Sequence, residues 1–146
     1  MTIIKAMQNW LEEFDGGIEL SPLDEILTDR TDEAPRSFAL APAGSDKASQ
    51  DVVGERTYRY NYVLYVKAHG GNEVDREGNY ALLEAIADWI EEHNDDRDFP
   101  KFPGGRIVEE VTAANAMLFD LFENGFALYQ VQIQLTFTKE GKRPWQ

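Results

Sequence analysis

From Phe126 to Thr138 the chain keeps an alternation that leaves little freedom of fold. Tyr129, Val131, Ile133, Leu135 and Phe137 are apolar, and Gln130, Gln132, Gln134, Thr136 and Thr138 between them are polar. Successive side chains of an extended backbone point to opposite faces, so this period of two predicts a strand with one buried and one wetted face. A slip of one residue would turn every apolar side chain to water, which sets the register tightly. The wetted face is neutral, made of amides and hydroxyls alone. Thr57–Ala68 repeats the pattern, with Tyr58, Tyr60, Tyr62, Leu64 and Val66 on one side and Arg59, Asn61 and Lys67 on the other. Two such strands require an apolar layer to lie against.

Two amphipathic helices can supply it. Residues 2–14 place Ile3, Ile4, Met7, Trp10, Leu11 and Phe14 at helical spacing, with Thr2 as N-cap and Gly16-Gly17 as terminator. Asn79–His93 carries a stripe of Tyr80, Leu83, Ile86, Ala87 and Ile90, widened by Leu82 and Trp89, with Asn79 read as its cap. Between the helices, Leu20, Leu23, Ile26 and Leu27 predict a short strand or turn, and Ser37–Ala41 a short strand between two prolines. Residues 42–55, small and polar, read as a mobile loop or hairpin tip. Arg106–Ala113 and Ala116–Phe122 read as two strands, the second joined to the last strand through Asn124-Gly125, a strong hairpin signal. Residues 139–146 form a basic tail. The expected fold class is α+β: a two-layer sandwich of a mainly antiparallel sheet with two amphipathic helices packed on one face. At 146 residues this is expected to be one domain.

The composition excludes several chemistries. There is no cysteine, which removes disulfides, thiolate metal sites and cysteine nucleophiles. A net charge of −13 argues against a dedicated nucleic-acid surface, which needs clustered Lys and Arg. Met1–Met7 lacks the basic stretch and long apolar run of a signal peptide, and no run of apolar residues is long enough to span a bilayer. His69 and His93 stand in different elements without advertised partners. His93, in the last turn of a helix, suits the helix dipole. Asp95–Asp98 mimics a calcium loop only in part, because Pro100 occupies the position where the turn needs glycine. Neither diglycine belongs to a phosphate-binding motif. No catalytic residue, cofactor or metal is therefore expected.

The two long strands raise the question of their edges, which a protein must cover or pair. Two answers stand side by side: neighbouring subunits of a ring or tube, or short strands of the same chain such as Phe38–Ala41. A small ligand-binding module using Tyr58, Tyr60 and Tyr62 as a cleft is a competing functional reading. A hydrolase built on converging carboxylates is a third.

Several segments in succession add a resemblance. They are Ser37–Leu40, Arg59–Val66, Leu83–Asn94 with its Trp89-Ile90-Glu91-Glu92 core, Phe99–Pro103, and Ala127–Phe137. Over roughly residues 20–139 the chain resembles the minor capsid or tail-terminator-like proteins of long-tailed bacteriophages and prophages. The resemblance implies a structural virion protein without catalysis. It implies a homo-oligomer, a hexameric ring, assembled in the host cytoplasm at the head-proximal end of the tail. Its partners would be the tail tube protein and the head connector or another neck protein, with DNA passing through unbound. An acidic lumen would repel DNA, and Glu109 and Glu110 are the candidate channel-facing residues. Arg143 and Trp145 in the tail have interface-like composition and are candidates for a subunit or partner contact.

Overall fold

The computed structural model describes residues 1–16, 22–50, 54–102 and 104–140, the side chains of 46–50 and 140 excepted. The first helix, α1 (Ile3–Leu11), opens on Thr2, whose hydroxyl accepts the Lys5 N–H at 3.1 Å. It stops short of the expected residue 14. Glu13 and Phe14 close a tighter turn onto the Trp10 and Leu11 carbonyls, and Phe14 stays buried.

A five-stranded sheet follows, in the order β1-β2-β3-β5-β4. The short β1 (Ile26–Thr28) runs parallel to β2 (Ser37–Gln50), and every other pairing is antiparallel. The loop expected over 42–55 is a strand as far as Gln50, because β3 (Glu55–His69) is long enough to pair with all of it. Pro42 and Gly44 are absorbed in a register shift between Pro42 and Ser45, where Gly44 takes φ +109°. Pro42 breaks no inner ladder, since β1 covers only Phe38–Leu40 and leaves this stretch at the sheet edge. The tip expected at residues 51–53 lies outside the described residues.

The second helix, α2 (Glu73–Asp95), begins a turn and a half earlier than its apolar stripe suggests. Its cap is Asn72, whose side-chain oxygen accepts the Asp75 N–H at 2.8 Å, and Glu73 and Asp75 suit the dipole of the first turn. Asn79 is not a cap. It is a buried polar residue whose Nδ2 donates to the His69 carbonyl at 2.7 Å and to the Tyr129 hydroxyl at 3.2 Å.

The two strands read between residues 106 and 122 are a single strand, β4 (Arg106–Leu121), paired with β5 (Phe126–Glu140). Asn115 at φ +54° sits in the register shift between Ala114 and Met117, where the sequence pattern breaks. Asparagine tolerates that left-handed conformation, so a bulge replaces the expected strand end. At the other end, Gly70 donates its N–H to the Gly125 carbonyl at 2.9 Å. A Cβ on Gly70 would sit 2.5 Å from the Ala127 Cβ, so only glycine lets the chain leave β3 this close to β5.

Both helices lie on one face of the sheet, as the α+β sandwich requires. Register aligns Leu64 with Val131 and Leu40, and Val66 with Tyr129 and Phe38, on that face. Leu83, Ile86 and Ile90 of α2 and Met7 and Leu11 of α1 complete the core. Trp10 and Trp89 join the two helices with ring centroids 4.9 Å apart, and the Trp10 indole donates to the Asp98 carbonyl at 2.9 Å.

Candidate assembly surfaces

The face of the sheet turned away from the helices is built from the polar half of each alternation. Asn61 of β3 and Gln130, Gln132, Gln134 and Thr136 of β5 lie there with Thr112 of β4. The Gln134 amide donates to the Asn61 side chain at 3.0 Å, and Asn115 donates to Gln132 at 2.6 Å. Asn61, Thr112, Gln132 and Gln134 line a shallow concavity of about 370 Å³. Amides hydrogen-bond one another but neither titrate nor carry charge; the cations of this face, Arg59 and Lys67 of β3, lie to either side of them.

Glu109 and Glu110 flank that face on β4, both exposed, at the register shift between Val108 and Glu110. Glu110 stands opposite Thr136 and so shares the amide face. Glu109 is the extra residue of the bulge. The other two candidates, Arg143 and Trp145, lie outside the described residues.

Sequence reasoning read Ala116–Phe122 as a strand but missed that the second half of β4 is an exposed apolar edge. As the last strand of the sheet it pairs with β5 on one side only. Met117, Leu118, Phe119, Leu121 and Phe122 are all exposed there, Phe119 at 56% and Leu121 at 53%. Register puts Leu118 and Leu121, opposite Tyr129 and Ala127, on the helix side. Phe119 meets Tyr65 on the amide side, ring centroids 5.6 Å apart. Both faces of the strand end are therefore apolar. The signal was the run Ala116-Met117-Leu118-Phe119-Asp120-Leu121-Phe122, which does not alternate. Such runs mark strands buried on both sides.

The opposite edge of the sheet carries a groove. Ile3 and Ile4 of α1, Pro42, Gly44 and Ser45 of β2, and Tyr60 and Tyr62 of β3 bound about 300 Å³ of mainly apolar space. The tyrosines themselves do not form a deep cleft. Tyr58 stacks on Phe137 at 5.4 Å, Tyr60 meets the same ring edge-on at 5.2 Å, and Tyr62 is buried. Desolvation pushes the Tyr62 phenol up to about 12, with the neighbouring Tyr60 as a smaller cause.

The succession of elements and the unpaired edge can now be set against known proteins. A family model described as bacteriophage tail terminator protein matches residues 23–139. The chain belongs to the bacteriophage tail terminator family. It is thus a phage tail-related structural protein, in agreement with the resemblance read over residues 20–139. No curated protein matches the chain. No helix among the described residues is long and apolar enough to cross a membrane.

In this terminator-family chain the two histidines and Asp32 sit in local contacts. His93 stacks on Trp89 at 3.8 Å, its Nδ1 lies 2.9 Å from the Trp89 carbonyl, and its Nε2 is 3.5 Å from Asp98. His69 stacks on Phe126 at 4.7 Å, far along the chain from His93. Asp32 holds its proton less tightly than an ordinary aspartate, chiefly because the Ala34 N–H donates to its carboxylate, with Ser37 as a second donor. Among the described residues, no three acidic or histidine side chains gather as a cation site.

Proposed function

We propose that this protein is a tail terminator in the full sense: subunits close into a ring on the finished tail tube, stop its growth and present a docking surface to the head connector. The observation that supports this reading is the sheet's unpaired β4 edge with large apolar side chains exposed on both faces. A lone soluble subunit has no use for such an edge, whereas a subunit between two neighbours does. Ring closure needs head-to-tail contacts between two different surfaces, and the energy comes from burying them. No catalysis enters the role. Assembly takes place in the host cytoplasm and the product stays at the head-proximal end of the virion tail.

DNA crosses the ring without binding. The amide face, uncharged between Arg59 towards one end and Lys67 towards the other, with Glu110 at its margin and Glu109 beside it, has the chemistry for a channel wall, since neutral amides hold phosphate weakly and the carboxylates repel it. Arg143 and Trp145 are proposed to contact a neighbouring subunit or the tube protein. The decisive experiment is solution mass by light scattering, with electron microscopy of tail tubes incubated with the protein. Rings in solution, or rings seated at tube ends with tube length fixed, are expected. A subunit that stays monomeric and leaves tubes growing overturns the reading. A ring bound only to the head side of an already capped tail would make it a neck protein instead.

A further inference from the structure

We infer that the apolar end of β4 in one copy docks at the open β2 edge of the next, placing Leu118 and Leu121 in the groove bounded by Ile3, Ile4 and Tyr60. The inference rests on the ring reading and names the surfaces that would build it. Three observations carry it. The sheet has two edges of unlike character, the long β4 on one side and β2 beyond the three-residue β1 on the other. The β4 edge projects apolar side chains that the described residues leave between a third and a little over half exposed, and the β2 edge holds about 300 Å³ of mainly apolar space that the described residues do not fill. Finally, both features lie on the helix side. Leu118 and Leu121 stand opposite the core residues Tyr129 and Ala127, and the groove is bounded by α1 and by Tyr62, whose side chain faces the core.

The occupant is a second copy because each edge supplies what the other lacks. A projecting apolar patch and a distant apolar hollow on one molecule make a heterologous contact, in which every subunit gives one surface and receives the other. The strip packing on itself would instead make a two-fold dimer and leave every groove empty. A strand added at β2 would also pair the backbone groups of Ala41–Ser45 that β1 leaves uncovered.

The test uses the absence of cysteine from the chain. Full-length Ser45→Cys, Leu121→Cys and the double variant are treated with a short bis-maleimide, alone and on tail tubes. The double variant is expected to give a ladder of covalent oligomers that stops at the ring size. Each single variant alone should stay uncross-linked, and a mixture of the two should give a dimer only. A dimer from Leu121→Cys alone means the strip packs on itself, and overturns the inference. No cross-link in a preparation whose mass and images show rings also overturns it, while leaving the ring reading standing. Monomers without rings, even on tubes, overturn both. As a second readout, Leu121→Asp, at a residue more than half exposed, should abolish the ring while leaving the circular dichroism of the subunit native. Intact rings from that folded variant overturn the inference.

Discussion

β4 and β5 are neighbours in one hairpin, of nearly equal length, and they were built under opposite rules. β5 is paired on both sides, keeps one register with β3 from end to end, and buries Tyr129, Val131, Ile133, Leu135 and Phe137 to 2% exposure or less. β4 is paired on one side, shifts register three times against β5, and ends in large apolar side chains left in water. The difference teaches that hydrophobicity has two uses here. In β5 it holds the subunit together. At the end of β4 it is only partly used by the subunit, and the exposed remainder is available to something outside it.

The strongest way to break that comparison is to truncate one residue of each kind. Leu135→Ala removes a fully buried side chain between the helices and the sheet. It should destabilise the subunit by about 2–5 kcal/mol, read as a lower urea midpoint at unchanged slope. Leu121→Ala should change subunit stability by no more than about 1 kcal/mol, since more than half of the residue is exposed. Equal losses would mean that the β4 end belongs to the core after all.

Asn79 sharpens the comparison from the polar side. Among the described residues it is one of few buried polar ones, and it ties α2 to both the end of β3 and the Tyr129 hydroxyl of β5. Asn79→Ala strands those two acceptors and should cost about 1–3 kcal/mol by thermal or urea unfolding. Asn72→Ala, about two turns before it, removes only a solvent-exposed cap and should cost about 1 kcal/mol. The reverse order would restore Asn79 as the helix start.

How much of this was legible follows from which residues carry a period. The faces of β3 and β5, the Asn124-Gly125 turn and the Thr2 cap were readable because alternation and capping are local rules, and the structure obeys them. Pro42 and Gly44 look like loop residues, but they sit in a bulge on an edge where a missing N–H harms no ladder, so the strand runs on through them. Asn115 likewise looks like a strand end and is a bulge. Asn79 was mistaken for a cap because an apolar stripe shows where a helix is covered, not where it begins, and the first turn of α2 is mostly exposed. Of the candidate surface residues, Glu109 and Glu110 fall at a bulge beside the amide face. The apolar strip went unread because its meaning depends on β4 being last in the sheet, and strand order is a property of the whole fold.

The smallest effect at neutral pH, and the one confined to a single atom, concerns Tyr62. Burial favours the neutral phenol, so its folded pKa of about 12 lies above the unfolded value of 10.0. The raised value means the folded protein holds this proton longer than the unfolded chain. The stabilisation is fully present below pH 10 and is lost as pH climbs from there through about 12. Replacement of Tyr62 by Phe should leave stability at pH 8 nearly unchanged and flatten the decline above pH 10, so the informative quantity is the difference between the two curves. Tyr62 also borders the groove. If a neighbouring subunit fills that space, the phenol is desolvated further in the ring, and the wild-type decline, which still begins near pH 10, should continue to a higher pH in assembled rings than in isolated subunits. Identical curves for ring and subunit would mean that the groove stays open to water in the assembly.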